Sequence, residues 1–273
     1  MNEIISTFAN LPPVVIRGIC VGLFVSVCAA LLGVVLVLKR YSMIGDGLSH
    51  VAFGAMSLAL VLNLAPLVFS VPVVICAAFL LLHISRKSTI GGDSLTALVS
   101  STSLAIGVAA VSLSGGVSTG VSDYMFGSIV AISKNDAYFC VPILVCIMVL
   151  FVLIYNKIFA LTFDESFAKV SGVKTEKYNM LVALLTALTV VIGMRIVGTL
   201  LISGLVVFPA LSAMRVFRGF RKTVICSVVL SCVCFILGVM LSVLCDTPVG
   251  ASIVLVNAAV FVLFSAVGKF VKI

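Results

Sequence analysis

What this sequence most lacks is charge. Only 10% of its 273 residues are Asp, Glu, Lys or Arg, while 63% are hydrophobic. Soluble domains carry about 25% charged residues, so a soluble globular protein is excluded. The short alternating segments of roughly ten residues that build a transmembrane barrel are also absent; the apolar runs here are long and continuous. No stretch is polar enough for a separate soluble domain, and residues 1–273 read as one helical membrane domain. Nine cysteines occur without a C-x-x-C pair, mostly inside apolar runs. Thiols there act as small hydrophobes, so neither a structural disulfide nor a thiolate metal site is expected. A cleavable signal peptide is not expected either, since the N-terminus has no basic region and its first apolar run is too long. No G-x-x-x-x-G-K-[ST] run provides a phosphate cradle, and no H-E-x-x-H run provides a zinc protease site.

What is present divides into spans of about 20 apolar residues. We expect nine, near 14–38, 44–62, 66–84, 93–113, 136–156, 178–194, 196–214, 223–245 and 249–268. The sixth and seventh are short and Pro209 interrupts the seventh, so that pair could instead hold a re-entrant or broken element. Residues 114–135 are too polar to span and suit an external loop with a short helix or re-entrant piece. The net charge of +8 does not point to nucleic acid, because the basic residues sit in short loops. With the N-terminus outside, 14 of the 17 fall on the cytoplasmic side, among them Lys39, Arg40, Arg86, Lys87, Lys157, Arg215, Arg218, Arg221 and Lys222. The positive-inside rule therefore sets the orientation.

Against this background one segment stands out, Gly45-Asp46-Gly47-Leu48-Ser49-His50. A spacing of four puts the carboxylate and the imidazole on one helix face, about one turn apart. Both are expensive in hydrocarbon and need a partner, a water-filled path or a cation. Imidazole nitrogen and carboxylate oxygen are suitable ligands for Zn²⁺ or Mn²⁺. The plainer alternatives are a helix N-cap for Asp46 and a hydrogen-bonded core histidine for His50. Asp246 and Asp123 are secondary candidates, each also explicable as a loop residue, and His83 reads as interfacial beside Arg86 and Lys87.

The loop 157–177 has helix grammar of its own. Thr162 to Glu165 reads as a capping box, with Thr162 at the N-cap and Glu165 at N3. Phe163, Phe167 and Val170 then form a narrow apolar stripe, and Gly172 is placed to end the helix. The residues alone leave two roles open, a loop helix resting on the bilayer interface or a docking helix for a soluble partner.

Five stretches in order carry a resemblance. They are Lys39 to His50, Asp123 to Ile129, Phe163 to Val173, Val197 to Leu205 with Pro209-Ala210, and Asp246 to Leu255. Together they resemble the zinc/manganese permease subunits of bacterial ABC metal importers (ZnuB-like). The resemblance implies an all-α ABC importer permease of the metal/vitamin-type architecture in the bacterial inner membrane. It implies no permanently bound cofactor, with Zn²⁺ or Mn²⁺ as the transported ion. Its implied partners are a second copy of the chain, two copies of a cytoplasmic ATPase that holds the ATP, and an extracellular or periplasmic metal-binding protein. The family's Asp and His carry over to Asp46 and His50. Its coupling helix carries over to residues 163–172, with Phe163, Asp164, Glu165, Phe167 and Gly172 at the ATPase contact.

Zinc is the preferred cargo because Asp123 to Ile129 and Asp246-Thr247-Pro248 look more like the zinc branch than the manganese branch. Manganese or iron import by the same mechanism is the alternative. A permease for iron chelates or vitamins would need no metal-ligand pair in its channel, which Asp46 and His50 argue against. A proton-coupled secondary carrier stays open on the residues alone, and the capped cytoplasmic helix argues against it.

Overall fold

The computed structural model describes residues 13–87, 92–113, 127 and 134–270. Asp123 and nearly all of the segment expected as an external loop lie outside the described residues. Eleven helices are present among them: α1 Pro13–Leu38, α2 Met43–Val61, α3 Pro66–Lys87, α4 Gly92–Leu113, α5 Lys134–Leu153, α6 Tyr155–Phe163, α7 Glu165–Val170, α8 Thr175–Val197, α9 Thr199–Val216, α10 Phe220–Cys245 and α11 Val249–Phe270.

Eight of these, α1 to α4 and α8 to α11, are long and apolar enough to cross a membrane. The fifth expected span, 136–156, takes a different form. It ends at Leu153, and after a 67° bend the chain continues as α6. The pair expected as possibly re-entrant is instead two helices of 23 and 18 residues. They are separated by Gly198 alone, whose φ of 91° suits a residue without a Cβ. Pro209 lies inside α9, as Pro72 and Pro142 lie inside α3 and α5. Membrane helices tolerate such prolines because neighbouring groups re-satisfy the freed carbonyls.

Helix α1 is the hub, packing on α5, α8, α9 and α10. In lipid there is no hydrophobic drive between helices, so close approach and buried polar contacts hold them together. Both are present along α1. Gly33 lies so near the Val206 carbonyl of α9 that no Cβ fits, and Gly22 sits under the Phe235 ring of α10. Ser26 and Ser231 hydroxyls are 2.6 Å apart across the same α1–α10 seam.

By connectivity Arg17 and Arg195 lie toward one end of the bundle, while most of the basic residues lie at the other. Tyr41, Ser85 and Gly92 meet there, which joins the α1–α2 and α3–α4 connections. Tyr155, Phe159 and Phe163 of α6 stack on Phe220 at the start of α10, with ring centroids 5.4 to 6.0 Å apart. Gly268 of α11 packs on the Arg215 backbone. At the opposite end, Gly127 lies against the Val197–Gly198 peptide. Asn63 and Lys174 are both exposed, at opposite ends by connectivity. In a cysteine-free variant, a single reporter cysteine at Asn63 should react with an impermeant thiol reagent applied to intact cells, and one at Lys174 should not. Reaction at Lys174 from outside would reverse the topology.

Candidate functional site

Helix α2 is among the most enclosed in the bundle, and small residues are the reason. A Cβ on Gly47 would strike the Thr96 side chain, and one on Gly54 the Ser103 carbonyl, so α2 lies tight against α4. Gly45 faces Val206 of α9. Successive residues of a helix are about 100° apart, so Asp46 and His50 project from the sector between the α9-facing and α4-facing glycines. With α2 beginning at Met43, His50 sits about 10 Å along its axis.

The two side chains are partnered with little else. His50 Nε2 is 3.7 Å from Asp46 Oδ2, and their side chains are 24% and 38% exposed. That separation is beyond hydrogen-bond reach. His50 Nδ1 is buried and has no hydrogen-bond partner among the described residues. The core-histidine alternative, which needs a hydrogen bond to a neighbouring helix, therefore finds no support in the geometry. A tetrahedral zinc held at about 2.1 Å by one nitrogen and one oxygen would put those atoms about 3.4 Å apart. The observed pair needs only a small rotation to meet that. Asp46 also occupies the first turn of α2, where a carboxylate complements the helix dipole. Ser42, not Asp46, stands at the N-cap position and makes no side-chain cap bond.

Among the described residues no group of three or more His, Cys, Asp or Glu side chains comes together. Among the described residues, Asp46 and His50 are therefore joined by no third such side chain. Asp246 is not brought to this pair. It lies at the far end of α10, exposed, with φ 50°. There it makes the turn into α11, next to a hydrogen-bonded cluster of Ser242, Thr247 and Ser252. One residue was not anticipated. The Ser57 hydroxyl is buried and has no hydrogen-bond partner among the described residues, seven residues after His50 on the same stripe of α2. The spacing 46, 50, 57 was the available signal, but serines in apolar helices usually bond back to their own backbone and so attract no notice.

The second candidate region lies at the basic end. The expected helix over 163–172 is shorter, Glu165–Val170, and starts from a different cap. Thr162 cannot serve as N-cap because its hydroxyl donates to the Ile158 carbonyl within α6. The packing of Phe163 on Phe159 and Phe220 keeps Phe163 as the last residue of α6. Asp164 then takes extended backbone, φ −147° and ψ 97°, and its carboxylate accepts the Phe167 N–H at 2.8 Å. Asp is a stronger N-cap than Thr. Glu165 becomes the first helical residue, and its carboxylate accepts from Asn179 Nδ2 at 2.9 Å instead of closing a capping box.

The far end of α7 matches expectation. Gly172 has φ 82°, the Val173 N–H reaches the Ala168 carbonyl, and the Gly172 N–H reaches that of Lys169. That is a Schellman closure. Because Asp164 breaks the helix, Phe163 does not continue the stripe of Phe167. Phe163 belongs to the aromatic cluster, while Phe167 at 66% and Val170 at 88% exposure stand free of the bundle.

Comparisons with known proteins agree with this architecture. The chain is 28% identical over 242 residues to the high-affinity zinc uptake system membrane protein ZnuB of Haemophilus influenzae, covering 89% of this chain and 93% of that protein. It is 24% identical over 245 residues to the manganese import system permease protein ScaB of Streptococcus gordonii, covering 90% and 88%. Among solved structures, PsaBC from Streptococcus pneumoniae in complex with Fab superposes with a TM-score of 0.85 at 24% identity, over 96% of this chain and 94% of that one. The fold is thus that of an ABC permease, a multi-pass membrane protein. The sequence model of the ABC 3 transport family matches residues 12–268, and the chain belongs to that family.

Proposed function

We propose that this chain is the permease of an ABC importer that moves a divalent transition metal, preferentially zinc, into the cytoplasm. It works as a homodimer on two copies of a separate ATPase and receives its cargo from an external metal-binding protein. The observation that carries this reading is the Asp46–His50 pair, whose imidazole has one nitrogen buried without a partner and the other facing a carboxylate. Two donors per chain become four when two copies face each other, enough for a tetrahedral cation. Each chain alone holds the ion too weakly to store it, which suits passage. Family membership and the zinc and manganese systems among its relatives support metal as the cargo.

The exposed α7 is the docking element for the ATPase, in keeping with the basic end as the cytoplasmic one. Nitrogen and oxygen donors serve zinc and manganese alike, so the choice rests on geometry and on delivery. The test is uptake of labelled zinc in a strain lacking its own importers that expresses this chain with its ATPase and binding protein. Excess unlabelled zinc should compete more strongly than excess manganese. Stronger competition by manganese would reassign the cargo, and no uptake of either ion would remove the metal reading.

A further inference from the structure

Where α7 meets the bundle, three polar side chains from three elements close a ring. Lys39, just past the end of α1, donates to Asn179 Oδ1 at 2.5 Å. Asn179, in the second turn of α8, donates from Nδ2 to Glu165 Oε1 of α7 at 2.9 Å. Glu165 Oε2 returns to the Lys39 ammonium at 3.7 Å. The Lys39 side chain is 11% exposed and Asn179 is 5% exposed. The Glu165 side chain is 44% exposed, so the ammonium is the enclosed member of the pair; an enclosed charge is favoured by a counter-charge held near it, and moving Glu165 therefore draws or strains Lys39.

The chain on either side of Lys39 is stiff. Helix α1 closes with Arg40 at φ 61°, with the Tyr41 N–H on the Leu36 carbonyl and the Arg40 N–H on that of Val37. The Ile44 N–H already bonds the Tyr41 carbonyl as α2 begins. Only residues 39–42 separate the two helices, and Asp46 follows in the first turn of α2. A displacement of Glu165 therefore has two outcomes. The ring travels with it and pulls the α1–α2 connection, or the ring opens and the enclosed ammonium loses the Glu165 carboxylate.

We propose that Glu165, Asn179 and Lys39 are the link through which movement of α7 reaches the start of α2 and the Asp46–His50 pair. They are positioning residues and touch no cargo. This rests on the reading of α7 as the ATPase-docking helix and of Asp46–His50 as the ion's ligands. Asn179 is suited to the middle position because its amide presents an acceptor to the cation and a donor to the anion. An amide flip would serve the reverse arrangement equally well, which makes the link testable by exchanging the charges.

The experiment uses the permease and its ATPase reconstituted in vesicles with the binding protein and zinc. It reads zinc moved per ATP hydrolysed, and ATPase retained on purified permease. Wild-type vesicles come first, since absence of zinc movement or of a retained ATPase there would fail the function itself and not the link. Lys39→Glu and Glu165→Lys should each lower the zinc-to-ATP ratio about tenfold, in the range of ordinary site-to-site coupling, and Lys39→Glu, whose side chain is enclosed in the bundle, should do so with ATPase retention unchanged. The double exchange should bring the ratio back to within about twofold of wild type, since coupled pairs are non-additive. Glu165→Gln keeps the hydrogen bond to Asn179 without the charge, and it should lower the ratio even if the single charge reversals fail to insert. A wild-type ratio in Glu165→Gln overturns the link. So does a double exchange as impaired as the singles, or a transport loss in Lys39→Glu that merely follows lost ATPase.

Discussion

His50→Ala should reduce zinc uptake by about 100-fold or more while leaving the protein inserted and at normal abundance. Loss of even an outer-shell partner of a metal ligand costs about 10–100-fold, and a direct donor in a two-donor set counts for more. The fold should tolerate the change because α2 packs tightly on α4 and α9 through Gly45, Gly47 and Gly54, which the substitution leaves in place. His50 makes no hydrogen bond whose loss would leave a buried partner stranded, and its 3.7 Å approach to Asp46 is the contact removed. Uptake of labelled zinc and manganese, beside quantification of the protein in membranes, checks this. Normal uptake of both ions by the double variant Asp46→Ala with His50→Ala would remove the pair from the pathway.

Phe167→Ala should weaken ATPase binding by about 2 kcal/mol, the usual cost of truncating an aromatic anchor at an interface, or about thirtyfold in affinity. Phe167 is 66% exposed and reaches no part of the bundle's aromatic cluster. Its side chain therefore contributes little to the fold of the free permease. The helix itself should survive, since the Asp164 cap uses the backbone N–H of residue 167 and alanine is a good helix former. Phe163→Ala is the informative contrast. That ring packs on Phe159 and Phe220, so its loss should disturb the α6–α10 contact more than the ATPase. Copurification of tagged permease with the ATPase, followed by titration, measures both. Normal ATPase binding by Phe167→Ala would leave α7 as a surface helix and move the contact to the Arg215 to Lys222 connection.

Much of this protein could be read without coordinates, for a physical reason. A membrane helix must satisfy its backbone internally and span a fixed thickness, so local composition alone locates the helices. The observed bounds of α1, α2, α4, α10 and α11 accordingly lie within a few residues of the expected spans. The facing of Asp46 and His50 followed from helical period, and the stop at Gly172 from the need for a residue free to take positive φ. These are properties of a short stretch of chain, complete before any other element is considered.

Tertiary structure decided the rest, where two distant segments compete for the same groups. Thr162 and Glu165 form a sound capping box on paper. Phe220, more than fifty residues away, instead holds Phe163 in α6 and shifts the cap to Asp164. Released from that role, Glu165 turns to Asn179 and Lys39, a ring drawn from three separate segments that no local pattern announces. The unpartnered state of His50 Nδ1 and Ser57 is likewise a property of the neighbours that α2 receives. Period and length therefore placed the helices and their polar residues, because those follow from the backbone and the solvent. Only packing decided which polar groups would meet and which would be left without a hydrogen-bond partner among the described residues.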